Sequence, residues 1–297
     1  MKKSENLGAL FVFLAGALWG TMGIFVRSLA ALGLTSMQIV WLRVFTAAIF
    51  IGCAILFSDK KKIKINIRDL WIFIGTGIFS VASFTYFYFI SIQLISMSAA
   101  AVFLYTAPVF VMIMSAVLFK EKITLVKVIA CVAAFCGCLF TSGLIGSGKS
   151  LVPMGIITGI LSGVGYALYS IFGKYAVSRN YNSLTVTFYT FLICTLGITF
   201  FCDVPKIITT FAQKPSGIAY ALVMGVLSAA LPYILYTMGL ARIESGKAAV
   251  IASVEPVVAT VMGLVVYNET IDIFGILGII LIISVVVLLS LAEKKKV

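Results

Sequence analysis

Two short segments decide the fold: YTAPVF, residues 105–110, and SVEPVVA, residues 253–259. Each puts a proline inside an apolar run, and Pro108 and Pro256 stand 148 positions apart. The same offset places Gly77 on Gly225, Tyr88 on Tyr236 and Glu121 on Glu269. An offset of 147 places Gly16 on Gly163, Trp19 on Tyr166, Phe25 on Phe172 and Arg27 on Lys174. The chain therefore divides into two related units, residues 1–147 and 148–297.

The surroundings of these segments are those of a membrane protein. The 297 residues are 62% hydrophobic and 11% charged, with a mean hydropathy of +1.17, far outside the composition of soluble domains. Apolar runs occupy residues 7–29, 36–57, 70–92, 98–119, 123–142, 153–175, 184–202, 216–240, 247–267 and 273–292. Each is long enough for a helix to cross about 30 Å of hydrocarbon. None alternates as the strands of a transmembrane barrel would. The first run follows two lysines and so mimics a signal peptide, but it exceeds a typical signal core in length and nine more spans follow, so it reads as a retained span. The expected class is an all-α integral membrane protein with ten transmembrane helices. Five spans per unit is an odd number, so the second unit enters the membrane from the opposite side. Inverted repeats of this kind characterise many secondary transporters, with the site near the midplane where the repeats meet.

The net charge of +12 does not point to nucleic acid, because it is sorted by side. With a cytoplasmic N-terminus, all 22 lysines and arginines except Arg27, Arg43, Lys149, Lys206 and Lys214 fall on the cytoplasmic side. This bias orients the chain in the cytoplasmic membrane with both termini inside. The chain has six cysteines and no histidine. Cys131, Cys136 and Cys138 share one span without partner ligands and read as small apolar residues. No metal and no cofactor is expected.

LWG in the first span, WLRVFTA in the second, YTAPVF with LFKEKIT across the fourth and fifth, and SVEPVVA with VYNETID across the ninth and tenth resemble the drug/metabolite transporter superfamily, specifically its EamA branch. The likeness extends over essentially the whole chain. It implies a central cavity lined by helices 1–4 and 6–9, with helices 5 and 10 peripheral. It implies no particular substrate.

Other motifs have plainer readings. GLIGSGKS, Gly143 to Ser150, fits the P-loop pattern, but it lies between two spans and lacks the strand that a nucleotide-binding loop follows. Gly155, Gly159 and Gly163, and likewise Gly16 and Gly20, repeat at four-residue steps and suit close helix packing. Glu121 and Glu269 lie at the starts of the fifth and tenth spans, where the helix dipole favours a carboxylate, with Thr124 and Asp272 as N-caps. Pro108 and Pro256 each remove an N–H and free a carbonyl, Leu104 and Ala252. Matched kinks in both units make them candidate gate elements, with a static kink as the alternative.

Arg43 and Glu255 are the charges deepest in the membrane. Each is eighth in its run, about 10 Å in at about 1.5 Å per residue, Arg43 from outside and Glu255 from inside. A direct salt bridge is within a long arginine's reach without being required. Glu255 falls on Ala107 and Arg43 on Thr190 in the other unit. Charges that the fold itself required would be expected in both units, so a role in a cavity is favoured over pure packing. The remaining acids lie in loops, tails or helix ends, which makes Glu255 the strongest candidate if transport is coupled to protons through a carboxylate. Trp19 with Tyr166, and Tyr88 with Tyr236, are symmetry pairs in helices that the resemblance places around the cavity. Arg43 suits a substrate carboxylate, and aromatics with Glu255 suit an ammonium group.

The expected function is a secondary transporter working by alternating access. Its substrate would be an amino-acid-like zwitterion, an amphipathic metabolite or a drug-like compound. The partners would be that molecule and the lipid bilayer, with protons if transport is coupled, and the assembly a monomer or homodimer. The alternatives are a non-transporting membrane scaffold and a membrane-embedded lipid-modifying enzyme. The enzyme would need clustered acids or histidines that the spans do not supply.

Overall fold

Capping residues set the helix starts in the computed structural model, which describes residues 2–144 and 152–291. Among these residues ten apolar helices follow one another: α1 (Ser4–Ala31), α2 (Ser36–Ser58), α3 (Ile67–Leu94), α4 (Met97–Phe119), α5 (Leu125–Thr141), α6 (Pro153–Ser178), α7 (Ser183–Thr199), α8 (Ser216–Leu240), α9 (Ser245–Tyr267) and α10 (Ile273–Leu291). Thr35, Thr124, Asn182 and Asp272 precede α2, α5, α7 and α10, and each side chain accepts from an amide in its helix's first turn. Seven helices are long and apolar enough to span a membrane unaided. The others, α5, α7 and α10, have 17, 17 and 19 residues. The P-loop-like segment from Ile145 onward lies outside the described residues.

One element is absent from the sequence reading. After α7 the chain bends by 99° into a short helix, Val204–Gln213. Asp203 caps it by accepting from Lys206 N at 3.1 Å. The seventh span therefore ends at Thr199 rather than 202, because Asp203 and Pro205 start a new helix there.

Packing follows the repeat. Exchanging the units turns α1 into α6, α3 into α8 and so on, and the principal contacts obey that exchange. The α1–α8 contact is answered by α6–α3, α2–α8 by α7–α3, and α4–α6 by α9–α1, while α2–α7, α4–α9 and α5–α10 each pair a helix with its own mate. The α5–α10 pair is peripheral, as the resemblance implied, and many of its apolar side chains are exposed.

Both units break their helices at matched places. In α3 the stretch Gly75–Ala82, and in α8 the stretch Gly225–Ala230, widen into π-helix, a form concentrated at functional sites. The prolines do more than kink. In α4 the helix stops at Leu104 and restarts at Ala107, and in α9 it stops at Ala252 and restarts at Glu255. Pro108 and Pro256 thus sit in the first turn of a new half-helix, where a missing N–H costs no hydrogen bond. The turn bonds match too, with Thr106 N donating to Phe103 O and Val254 N to Ile251 O, each at 3.2 Å.

The carbonyls beside these breaks face glycine. A Cβ on Gly163 would meet Leu104 O at 3.1 Å and Thr106 Oγ1 at 2.6 Å, and one on Gly16 would meet Ala252 O at 2.8 Å. Gly16 and Gly163 are mates, so each half-helix break docks on the glycine of the partner unit's first helix. Close approach, as the four-residue glycine steps suggested, is their role.

Candidate functional site

At the crossing of α1, α3, α6 and α8 lies a cavity with about 250 Å³ of atom-free space. Trp19, Ser80, Phe84, Tyr166, Tyr169, Ser170, Tyr233 and Tyr236 line it. Trp19 is the hub. Its ring lies 5.1 Å from that of Tyr233, 5.4 Å from Tyr236 and 6.1 Å from Tyr166, within the range of favourable aromatic pairs. Two tyrosine hydroxyls are fixed by neighbours: Tyr169 Oη shares a hydrogen bond with Thr237 Oγ1 at 2.8 Å, and Tyr236 Oη with Ser170 Oγ at 2.7 Å. Two other groups of the wall, Trp19 Nε1 and Ser80 Oγ, are buried without a hydrogen-bond partner. Buried donors left unpaired are costly, and an occupant that accepts hydrogen bonds relieves that cost.

Glu255 and Arg43 stand one ring away from this space, on different sides. Tyr166 Oη donates to Glu255 Oε2 at 3.4 Å, and Tyr105 is a second hydroxyl within the carboxylate's reach. Arg43 is 7% exposed, with its guanidinium 5.9 Å from the Tyr233 ring centroid. The two charges form no ion pair with each other. The ion pairs among the described residues are Arg27–Glu269, Lys127–Glu244 and Arg179–Asp69. A line of rings, Tyr233, Trp19 and Tyr166, connects the two charges instead.

Glu255 begins the second half of α9. A carboxylate in a first turn faces the positive end of the helix dipole, so the helix break that accommodates Pro256 also accommodates its charge. Arg43 is held by a different break. Its Nε and Nη2 donate to Ser228 O at 3.2 and 2.7 Å. Pro232 has no N–H to offer the carbonyl four residues back, which is Ser228. At the symmetry-related place the corresponding residues are Phe84 and Ser80 of the first unit and Thr190 of the second: no proline and no arginine. The single occurrence of Arg43 therefore has a local structural cause beside any role towards a ligand.

Of the residues expected at the site, Trp19, Tyr166 and Tyr236 line the cavity and Arg43 and Glu255 flank it. Tyr88 does not line it. It packs against the buried cluster of Ile95, Ala99 and Ala100, as Ile92 and Phe103 do. Pro108 and Pro256 form the half-helix starts already described. Ser80, Phe84 and Ser170 were not singled out in the sequence. Ser80 was findable as the mate of Ser228, but nothing in its own neighbourhood distinguishes it. Glu121 also departs from expectation. Its carboxylate accepts from Ser245 N at 2.8 Å and Gly246 N at 3.3 Å, so it caps α9 rather than α5, a tertiary contact with no trace in local sequence.

Relatives agree with this architecture. The chain is 28% identical over 279 residues to an uncharacterized transporter of Archaeoglobus fulgidus, covering 91% of this chain and 92% of that protein. It is 25% identical over 287 residues to the uncharacterized transporter YxxF of Bacillus subtilis, covering 95% and 89%. A solved crystal structure shares the fold, with a TM-score of 0.81 at 16% identity over 97% of this chain and 98% of that one. The sequence pattern of the EamA-like transporter family matches residues 6–143 and again residues 153–291. The chain is a multi-pass membrane protein that belongs to the EamA-like transporter family.

Proposed function

We propose that the protein is a secondary transporter of the cytoplasmic membrane, with both termini inside, that moves a small zwitterionic or amphipathic metabolite by alternating access. The observation that carries the substrate class is a pair of unneutralised charges beside one aromatic cavity. Arg43 is held by a neutral carbonyl and Glu255 by hydroxyls. A buried charge without a counter-charge is expensive. A substrate carboxylate outcompetes a carbonyl for the guanidinium, because it adds an opposite full charge to the same hydrogen bonds where burial screens the attraction poorly. An ammonium group finds Glu255 and the faces of Tyr166 and Trp19. One zwitterion satisfies both ends, and Trp19 Nε1 and Ser80 Oγ add donors for a carboxylate or hydroxyl between them.

The test is a thermal-shift panel of the common amino acids and their decarboxylated amines on the purified full chain, followed by uptake into liposomes. A zwitterion at about a hundred times its Kd should raise the melting temperature by about 5 °C through mass action. Arg43→Gln should abolish uptake of the zwitterion and spare that of the amine. Glu255→Gln should abolish accumulation driven by a pH gradient, and accumulation unchanged in this variant would remove Glu255 from proton coupling. A scaffold predicts no shift with any member of the panel.

A further inference from the structure

Two symmetry pairs, Lys174 with Arg27 and Glu121 with Glu269, keep their chemistry across the repeat but not their partners. On the face that carries most of the lysines and arginines, Lys174 Nζ donates to Leu240 O at 2.8 Å and Ile243 O at 3.0 Å. Glu121 accepts from Ser245 N and Gly246 N. Both side chains thus hold the α8–α9 turn, the cation by the carbonyls that end one helix and the carboxylate by the amides that begin the next, as helix dipoles favour. The start of α9 has no cap of its own, because the Glu244 side chain makes no capping bond. Its first half, Ser245 to Ala252, is buried throughout.

On the opposite face the mates turn to each other. Arg27 Nη1 and Glu269 Oε1 pair at 2.7 Å with side chains 55% and 48% exposed, and the guanidinium lies 4.3 Å from the Tyr267 ring centroid. The turn they would hold by symmetry joins α3 to α4. There Ile92 and Ile95 correspond to Leu240 and Ile243, and Met97 and Ser98 to Ser245 and Gly246. In this structure that turn is capped locally, with Ala99 N donating to Ser96 Oγ at 3.2 Å, and Met97 is 63% exposed. One face is latched and buried, while the equivalent latch on the other face is undone.

We propose that Glu121, Lys174, Glu269 and Arg27 form a reciprocal latch that alternates between the two faces. On the closed face the carboxylate caps the second half-helix pair's N-terminus and the cation holds the carbonyl end of the preceding helix. On the other face the two pair with each other. In the opposite state Glu269 accepts from the amides of Met97 and Ser98, Arg27 donates to the carbonyls of Ile92 and Ile95, and Glu121 falls back on Lys174, which already lies within range of its charge. The latch rests on the alternating-access reading, and its ligand-independent test separates the two.

Hydrogen exchange of the full chain in lipid nanodiscs reads both turns at once, through peptides covering residues 96–101 and 244–249. Glu121→Gln should speed exchange at 244–249 about fivefold, the usual order for a lost cap, and slow it at 96–101, as the population moves to the state with that turn latched. Glu269→Gln should slow exchange at 244–249. If Glu121→Gln speeds exchange at 244–249 and leaves 96–101 unchanged, Glu121 is a local cap and the latch is wrong. If Glu121→Gln fails to fold, the exposed Glu269→Gln decides alone: unchanged exchange at 244–249 overturns the proposal. Liposome uptake of the radiolabelled amino acids by the wild type is scored separately. Uptake with one-sided exchange discards the latch and keeps the transporter. Reciprocal exchange without uptake keeps the latch and discards the substrate class.

Discussion

Glu255 and Arg43 each sit where a proline has already broken the helical hydrogen-bond pattern. Pro256 lets a half-helix begin at Glu255, and Pro232 leaves the Ser228 carbonyl for Arg43. The second relation has a measurable consequence. Arg43→Gln should destabilise the protein by about 2 kcal/mol, the order of a hydrogen bond from a charged donor. Pro232→Ala restores an N–H near Ser228 O, so the same replacement made in that background should cost less, which a double-mutant cycle by thermal unfolding measures. Glycines supply a second residue-scale contrast. A methyl on Gly163 lands 2.6 Å from Thr106 Oγ1 and 2.9 Å from Phe103 O, the latter backbone that cannot readily retreat, whereas a Cβ on Gly23 meets nothing within 4 Å. Gly163→Ala should cost about 1–3 kcal/mol as overpacking, and Gly23→Ala should be neutral or stabilising by up to about 1 kcal/mol. That Glu255, Arg43, Pro256 and Gly163 are special was legible in the sequence, because charge, proline and glycine are rare or patterned in a span, whereas Pro232 was not singled out. Their partners were not legible, since the Ser228 carbonyl lies 185 positions from Arg43.

At the scale of elements, apolar length and capping residues placed the ten helices to within a few residues, while the short helix Val204–Gln213 escaped. Its turn of polar residues reads as a loop until Asp203 and Pro205 are taken together as a helix start. The interruptions inside helices were less legible. Pro108 and Pro256 announced a disturbance in α4 and α9, but as kinks rather than as full breaks with two half-helices. Nothing announced the π stretches in α3 and α8, because GTGIFSVA and GVLSAA are ordinary compositions for a packed membrane helix. Tertiary contact selects the wider form. A Cβ on Gly225 would lie 2.0 Å from Thr46 Oγ1, and one on Gly77 2.9 Å from Thr190 O, so each π stretch is pressed against the second helix of the other unit.

For the whole molecule, the repeat dictated the contact plan, and departures from the repeat mark the candidate site. Tyr169 and Tyr233 line the cavity, but their mates Met22 and Thr85 do not. Self-comparison of the sequence therefore located the frame well and the cavity only in part: an unmatched residue can be functional, or can answer an unmatched proline, as Arg43 does. The peripheral helices carry a further consequence, one that concerns the lipid around the protein. At about 1.5 Å per residue the 17 residues of α5 reach about 26 Å, while the 23 residues of α2 reach about 35 Å. The rim at α5 is thus shorter than a bilayer about 30 Å thick, a mismatch that local thinning of the membrane relieves at a cost of fractions of a kcal/mol per Å. Reconstituted in a series of phosphatidylcholines of increasing chain length, the protein should be most resistant to thermal unfolding in the thinner members and lose stability steadily in the thicker ones, so that the bilayer itself selects the compartments in which this chain is at ease.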